Sequence, residues 1–354
     1  MNKLAGAPPE PRPPRAATAR RSGRAHVFVA VLLLSAATSA QVPMKIGHVV
    51  PGVAPRGRGA TEVAELVTAD LRCDITARVF PASQLGGDTD LIEGLQIGSI
   101  EMVILPGAFL VGFQPLIGIL DFPFFFPPRL DDLLEVHRSD AMRAVLDTTT
   151  EKDIVSLAVW HTGYKIWTSN RRSLHVYENY AGLKVRVMPS MILKEQSRLL
   201  GLTAVGMPFA ETYSALQNGA IDAQENSIDL NFFMKFHEVQ DYAAITNHGI
   251  LDNVVMVSKD WWDARAPSCQ AAIRDAVETG GRLTAQLTNS VIEELALPAF
   301  EASGIAMTTP TDEQWNRMRD AVLPGIEQRY IEQNGERGRM LLEALKAEIA
   351  RHED

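Results

Sequence analysis

Within the run from Gly182 to Asn226, one arginine, Arg186, sits inside the short apolar stretch Lys184 to Met188, and the polar triplet Gln224-Glu225-Asn226 closes the run. A guanidinium carried on a strand needs an anionic partner, because an unpaired buried charge is costly. Its planar, permanently charged fork suits a carboxylate better than any other side chain does. Two readings of Arg186 follow. It either grips the carboxylate of a small ligand or forms a structural ion pair between two halves of the protein. Reaction chemistry finds no footing: there is no GxSxG elbow, HExxH helix, CxxC pair or glycine-rich phosphate loop. Gly57-Arg58-Gly59 lacks the rest of a dinucleotide fingerprint, and eight histidines are scattered without metal-ligand spacing. The expectation is a protein that is not an enzyme and holds neither cofactor nor metal.

The elements that must position Arg186 follow from periodicity. Met44 to Val50 reads as a strand stopped by Pro51-Gly52 and Pro55, Thr61 to Leu71 as an amphipathic helix, and Ile75 to Phe80 as a second strand. Leu91 to Ile97 reads as a helix and Met102 to Leu105 as a third strand. This β-α-β-α-β order implies a parallel sheet with helices on both faces. The prolines of Asp121 to Pro128 exclude a regular helix or central strand and leave a packed loop. From Ile154 the pattern restarts, with Ile154 to Trp160 as one strand and Lys165 to Asn170 as another leading outward. Lys184 to Met188 and Thr203 to Met207 are further strands, each followed by a helix, and Gln224-Glu225-Asn226 reads as a turn. Ile250 to Ser258 reads as a strand returning to the first half, and the chain from Gln270 onward as mostly helical. The fold class expected is α/β, two lobes with parallel or mixed sheets flanked by helices, crossing strands between them and a long C-terminal helical region. A ligand in such a fold binds in the cleft near the carboxyl ends of strands.

The first 25 residues carry six basic side chains against Glu10, and the apolar core Val27 to Leu34 leads into Ser35-Ala36-Ala37-Thr38-Ser39-Ala40. That order is the plan of a secretory signal peptide, with cleavage expected after Ala40. Its core is too short for a membrane anchor. Arg20-Arg21 leaves the export route, general or twin-arginine, open. Losing residues 1–40 removes six positive charges and one negative from a net charge of −9, leaving −14 on the remaining 314 residues. An acidic chain argues against nucleic acid as a partner. Cys73 and Cys269 can pair in an oxidising compartment or stay separate buried thiols, and their spacing does not decide.

Several segments, in order, resemble the DctP-like solute-binding proteins of TRAP (tripartite ATP-independent periplasmic) transporters over about residues 43–265. These are Phe80-Pro81-Ala82-Ser83-Gln84-Leu85-Gly86-Gly87-Asp88, Asp121-Phe122-Pro123-Phe124, Gly182-Leu183-Lys184-Val185-Arg186-Val187, Pro208 to Gly219 and Asp222-Ala223-Gln224-Glu225-Asn226. Lys235 to Gln240 with Thr246-Asn247-His248 completes the set. The resemblance implies a periplasmic receptor that closes around a small organic acid anion and delivers it to integral membrane permease subunits. It implies that Arg186 pairs the ligand carboxylate, Asn226 contacts the ligand beside it, Phe209 is a cleft aromatic and Asp88 a polar cleft position. His48 stands at the pocket entrance, and Lys165 occupies a place where several members carry a second arginine, a departure because lysine lacks the fork. Glu225 is expected to orient Arg186 or Asn226, and Trp167 to be core or cleft wall, with stacking on a ligand ring as the alternative. The lobes implied are 41–163 with a return at 251–291, and 164–250, with 292–354 packing on the second. A sensor subunit binding the same ligand, or a hydrolase or lyase on the same fold, are the alternatives.

Overall fold

Sixteen residues, Ile154–Ser169, form one strand, β4, where two were expected, and this strand organises the molecule. In this computed structural model the described residues are 10–12 and 41–352, so the expected leader falls almost wholly outside them. The continuity of β4 rests on two register shifts, at Ser156/Ala158 and His161/Tyr164, which absorb extra residues without ending the ladder. Gly163 sits in the second with φ 95°, a conformation open to glycine. The first half of β4 pairs antiparallel with β9, Ile250–Ser258, and the second half with β7, Ala223–Ser227, and β8, Tyr242–Ala244. One strand therefore belongs to both sheets of a two-lobed α/β fold.

On one side the order is β2 (Ile75–Phe80), β1 (Val42–Gly47), β3 (Met102–Pro106), β9, β4, with β1 parallel to β2 and β3. On the other it is β4, β7, β5 (Lys184–Val187), β6 (Thr203–Gly206), with β5 parallel to both neighbours. β8 also pairs with β10, Ala306–Thr308, and neither short strand was anticipated. The largest correction is β7. Its polar Gln224-Glu225-Asn226 lacks the apolar alternation that marks a strand, so it read as a turn. Every one of its residues is buried, and partners elsewhere satisfy the polar atoms: Gln224 Nε2 donates to Thr168 Oγ1 and to Asn231 Oδ1, both at 2.7 Å.

Helix α1, Pro55–Ala69, starts six residues before the expected Thr61, since Pro55 opens the helix instead of stopping the strand. A proline at the first helical position loses only an N–H that would be unpaired anyway. The remaining helices are α2 (Asp88–Gln96), α3 (Leu130–Arg138), α4 (Asp140–Asp147), α5 (Met191–Leu199), α6 (Thr212–Gln217), α7 (Ile228–Phe233), α8 (Lys259–Asp263), α9 (Pro267–Val291), α10 (Leu297–Ser303) and α11 (Asp312–Ile349). α1 packs on α9 through two glycines. A Cβ on Gly59 would lie 2.7 Å from the Gly280 carbonyl, and one on Gly280 would lie 2.8 Å from the Gly59 carbonyl. The Cys73–Cys269 disulfide, spanning 196 residues, joins the turn after α1 to the start of α9 and settles the pairing left open above. Asp121 to Pro128 is a packed loop after the short 3-10 turn Pro115–Asp121, with Phe122 and Phe124 buried.

Helix α11 begins with a capping box: the Gln314 N–H donates to Thr311 Oγ1, and Gln314 Oε1 accepts from the Thr311 N–H. It contacts α5 and also α3, α4 and the Pro115–Asp121 turn. Tyr330 Oη donates to the Leu116 carbonyl at 2.8 Å and Trp315 Nε1 to that of Thr246 at 3.0 Å, so the helix ties both halves of the chain.

Candidate functional site

Residues at or just beyond the carboxyl ends of β1, β3, β5 and β6 — Val49, Pro106, Met188 and Phe209 — bound a narrow cavity of about 10 Å³, room for about one water molecule. Arg56 and Asp88, at the starts of α1 and α2, complete it together with Phe109, Asn226 on β7 and Leu230 on α7. Helix starts and strand ends converge there because each parallel crossover returns the chain to the same edge of its sheet.

Arg186, on β5, is 1% exposed and lies beside this cavity. Its Nη2 and Nε donate to the Met207 carbonyl at 3.1 and 3.3 Å, and its Cζ is 5.7 Å from the Phe209 ring centroid. No carboxylate of the described residues reaches it at ion-pair distance. Burial pulls its pKa down to about 10, while the more distant charges of Asp88 and Glu225 act the other way. It is therefore a buried cation at neutral pH whose only hydrogen-bond partner among the described residues is a carbonyl. The structural ion pair, one of the two readings of Arg186, is not formed.

Arg56 was missed. It is 2% exposed, its Nε and Nη1 have no partner among the described residues, and burial lowers its pKa to about 10 against the pull of Asp229 and Asp88. A signal was present in the sequence once the helix start is placed correctly. A cation in the first turn of a helix opposes the positive end of the macrodipole, so such a residue requires another reason to be there. Asp88 opens α2, where a carboxylate is favoured. Its Oδ2 accepts from the Phe209 N–H at 3.2 Å, and this bond crosses from one lobe to the other. Its Oδ1 is buried without a partner, and burial raises its pKa against the Phe209 N–H, Arg186 and Arg56. His48, just past the end of β1, is fully buried; neither ring nitrogen makes a well-aligned hydrogen bond, although the neighbouring Val50 backbone acts to raise its pKa. Burial, then the nearby Arg56, push its pKa down to about 3, so the ring is neutral. Asn226 donates one amide hydrogen to Gln224 Oε1 at 2.6 Å and borders the cavity.

Lys165 stands apart from the cavity lining. Its Nζ contacts Glu225 Oε1 at 3.3 Å, and Glu225 Oε2 accepts from Gln196 Nε2 at 2.8 Å and meets His248 Nε2 at the same distance. Glu225 is thus held by Lys165, His248 and Gln196, and it hydrogen-bonds neither Arg186 nor Asn226, contrary to expectation. Burial alone would raise its pKa, yet Lys165, His248 and Gln196 hold it down at about 2. Trp167 is a buried core residue that stacks on the His248 ring, 4.7 Å apart and 10° from parallel. Of the six residues singled out, Asp88, Phe209 and Asn226 border one cavity, Arg186 and His48 flank it, and Lys165 belongs to a buried charge network behind it. Among the described residues no group of three or more His, Cys, Asp or Glu is arranged to hold a metal ion.

A profile of "Bacterial extracellular solute-binding protein, family 7" matches residues 46–333. The C4-dicarboxylate-binding periplasmic protein DctP of Rhodobacter capsulatus is 33% identical over 272 residues, 76% of this chain and 79% of that protein. A TRAP periplasmic solute-binding protein of Desulfovibrio salexigens, solved with bound orotic acid, superposes with a TM-score of 0.84 at 31% identity, covering 87% of this chain and 99% of that one. One from Shewanella oneidensis with bound succinate gives a TM-score of 0.80 at 29% identity, covering 88% and 100%.

Proposed function

The chain belongs to the family of bacterial extracellular solute-binding proteins, family 7, and from that premise we propose that it is the periplasmic receptor of a TRAP transporter. It binds a small organic acid through the acid's carboxylate and releases it, chemically unchanged, to integral membrane permease subunits. The observation that carries this reading is Arg186: a buried guanidinium with one carbonyl partner and no carboxylate beside it. Leaving such a charge uncompensated is costly, and a bound carboxylate supplies what the protein withholds. Asn226, on the neighbouring strand β7, has a second amide hydrogen to offer the same anion. The relatives point the same way, since the solved ones carry orotic acid and succinate. In this reading residues 41–163 and 251–291 form one lobe and 164–250 the other. Residues 292–354, expected to pack on the second lobe, fasten the two instead, a reading supported by contacts of α11 with α3 and α4 as well as α5.

Calorimetric titration of Arg186→Ala and Arg186→Lys with an acid that the wild type binds tests the proposal. Hydrogen bonds to charged groups contribute about 1.5–3 kcal/mol net, so Arg186→Ala loses affinity by roughly tenfold to a hundredfold. Arg186→Lys recovers part of that loss, since it keeps charge without the fork. Unchanged affinity in a folded Arg186→Ala protein refutes the assignment.

A further inference from the structure

Three buried side chains in or next to the cavity lining have polar atoms that the described protein leaves without a hydrogen bond: Arg56 Nε and Nη1, Asp88 Oδ1, and both nitrogens of His48, which adjoins the lining residue Val49. Each is at most 3% exposed. Buried polar atoms in folded proteins almost always find partners, and an orphaned one costs its desolvation. Three together around one cavity mark a position that something else fills. Their chemistry says what. Arg56 offers only donors, Asp88 as a carboxylate only acceptors, and a neutral His48 one of each.

The charges around the cavity narrow the occupant further. Arg56 and Arg186 are the cations, and Asp88 and Asp229 stand against them. Asp229 is buried within electrostatic reach of Arg56, with its carboxylate accepting from Ser227 Oγ. Behind them Lys165 is matched by Glu225, and Asp121 adds a further buried carboxyl group near Lys165. In number the cations are matched by carboxyl groups before any ligand enters, although none of these bonds Arg186 directly. A monoanion adds one negative charge to this setting, whereas a dianion adds two and sets its second carboxylate against the bare Oδ1 of Asp88.

We propose that the receptor selects monocarboxylates whose body carries a hydroxyl or N–H donor for Asp88 and an acceptor for Arg56, and that it discriminates against unsubstituted dicarboxylates. The inference rests on the carboxylate reading of Arg186 and adds the groups that meet the rest of the ligand: Arg56 and Asp88 are the specificity-determining residues, with His48 beside them. Polyhydroxy acids and ring acids bearing N–H groups share this chemistry. A ligand lacking the donor leaves Asp88 Oδ1 buried and bare, and sites built to hydrogen-bond a particular group reject analogues that lack it.

Four C4 acids separate charge from donor content: D-erythronate (one carboxylate, with hydroxyls), butyrate (one carboxylate, none), L-malate (two carboxylates, one hydroxyl) and succinate (two, none). Orotate is the ring-acid arm. By calorimetry on the wild-type protein, D-erythronate or orotate binds at least about tenfold tighter than succinate and than butyrate. Asp88→Asn, which replaces an acceptor by a donor at the same shape, brings the erythronate-to-succinate ratio to within about threefold. Arg56→Gln weakens D-erythronate more than butyrate. Succinate binding as tightly as both donor-bearing monoanions overturns the inference, as does an Asp88→Asn protein that keeps the wild-type ratio. The wild-type panel needs no variant to fold. If succinate wins while Arg186→Ala still weakens binding at least about tenfold, this inference alone falls; if affinity is unchanged in Arg186→Ala, the carboxylate reading falls with it.

Discussion

Replacing Glu225 by glutamine keeps the shape of the side chain and removes one charge from a buried ion pair behind the cavity. Lys165 is 2% exposed, and Glu225 is the single carboxylate that meets its Nζ at ion-pair distance among the described residues. Breaking a buried pair from one side costs about 3–5 kcal/mol, because the remaining charge is stranded without water. Glu225→Gln also weakens the acceptor of His248 Nε2 and Gln196 Nε2, both at 2.8 Å. The loss is large against the roughly 5–15 kcal/mol by which domains are stable. Lys165→Met with Glu225→Gln removes both charges, so the double variant is more stable than the sum of the single losses by at least about 2 kcal/mol. Urea unfolding at pH 7, with slopes unchanged, measures the cycle.

Acid titration gives a second arm. The carboxyl pKa of Glu225 falls from 4.5 to about 2 on folding, so its stabilisation is present above about pH 4.5 and is lost as pH falls toward 2. That gap is worth roughly 3 kcal/mol. Glu225→Gln flattens this part of the acid limb. A single-variant loss below about 1 kcal/mol at pH 7, or additivity of the two substitutions, refutes the account of Lys165 as a charge held by Glu225.

Reducing the Cys73–Cys269 bridge, or replacing both cysteines by serine, lowers stability by about 2–5 kcal/mol, since it frees a loop of 196 residues in the unfolded chain; thermal melts with and without dithiothreitol read the shift. Gly59→Ala places a Cβ 2.1 Å from Thr284 Oγ1 and 2.7 Å from the Gly280 carbonyl, pushing α1 off α9 at a cost of about 1–3 kcal/mol. Urea melts of this variant test it, and a wild-type midpoint disproves the close helix contact.

Much of the first lobe was legible from periodicity alone. Ile75–Phe80 matched residue for residue, and so did Ile250–Ser258, since an apolar run bounded by turn residues has few alternatives as a local structure. Arg186 was legible because a permanent charge in an apolar strand is a conflict that only a partner resolves, and Asp88 and Asn226 through the order of their neighbouring motifs. β7 was not legible: its polarity is tolerable in a central strand only because Thr168, Asn231, Lys165 and His248 arrive from elsewhere in the chain. Nor was the partner of Lys165. From sequence it is a cation on a strand, free to face a ligand, and only the antiparallel register that sets Trp167 opposite Glu225 brings that carboxylate to it. Arg56 shows the same division. Its type is written at position 56, but whether its guanidinium meets water or a carboxylate depends on residues as distant in the chain as Asp88 and Asp229. Local sequence determines which residues are strand, helix and charge; which charges are left without partners is decided by long-range packing, because a burial penalty exists only once the surrounding chain has excluded water.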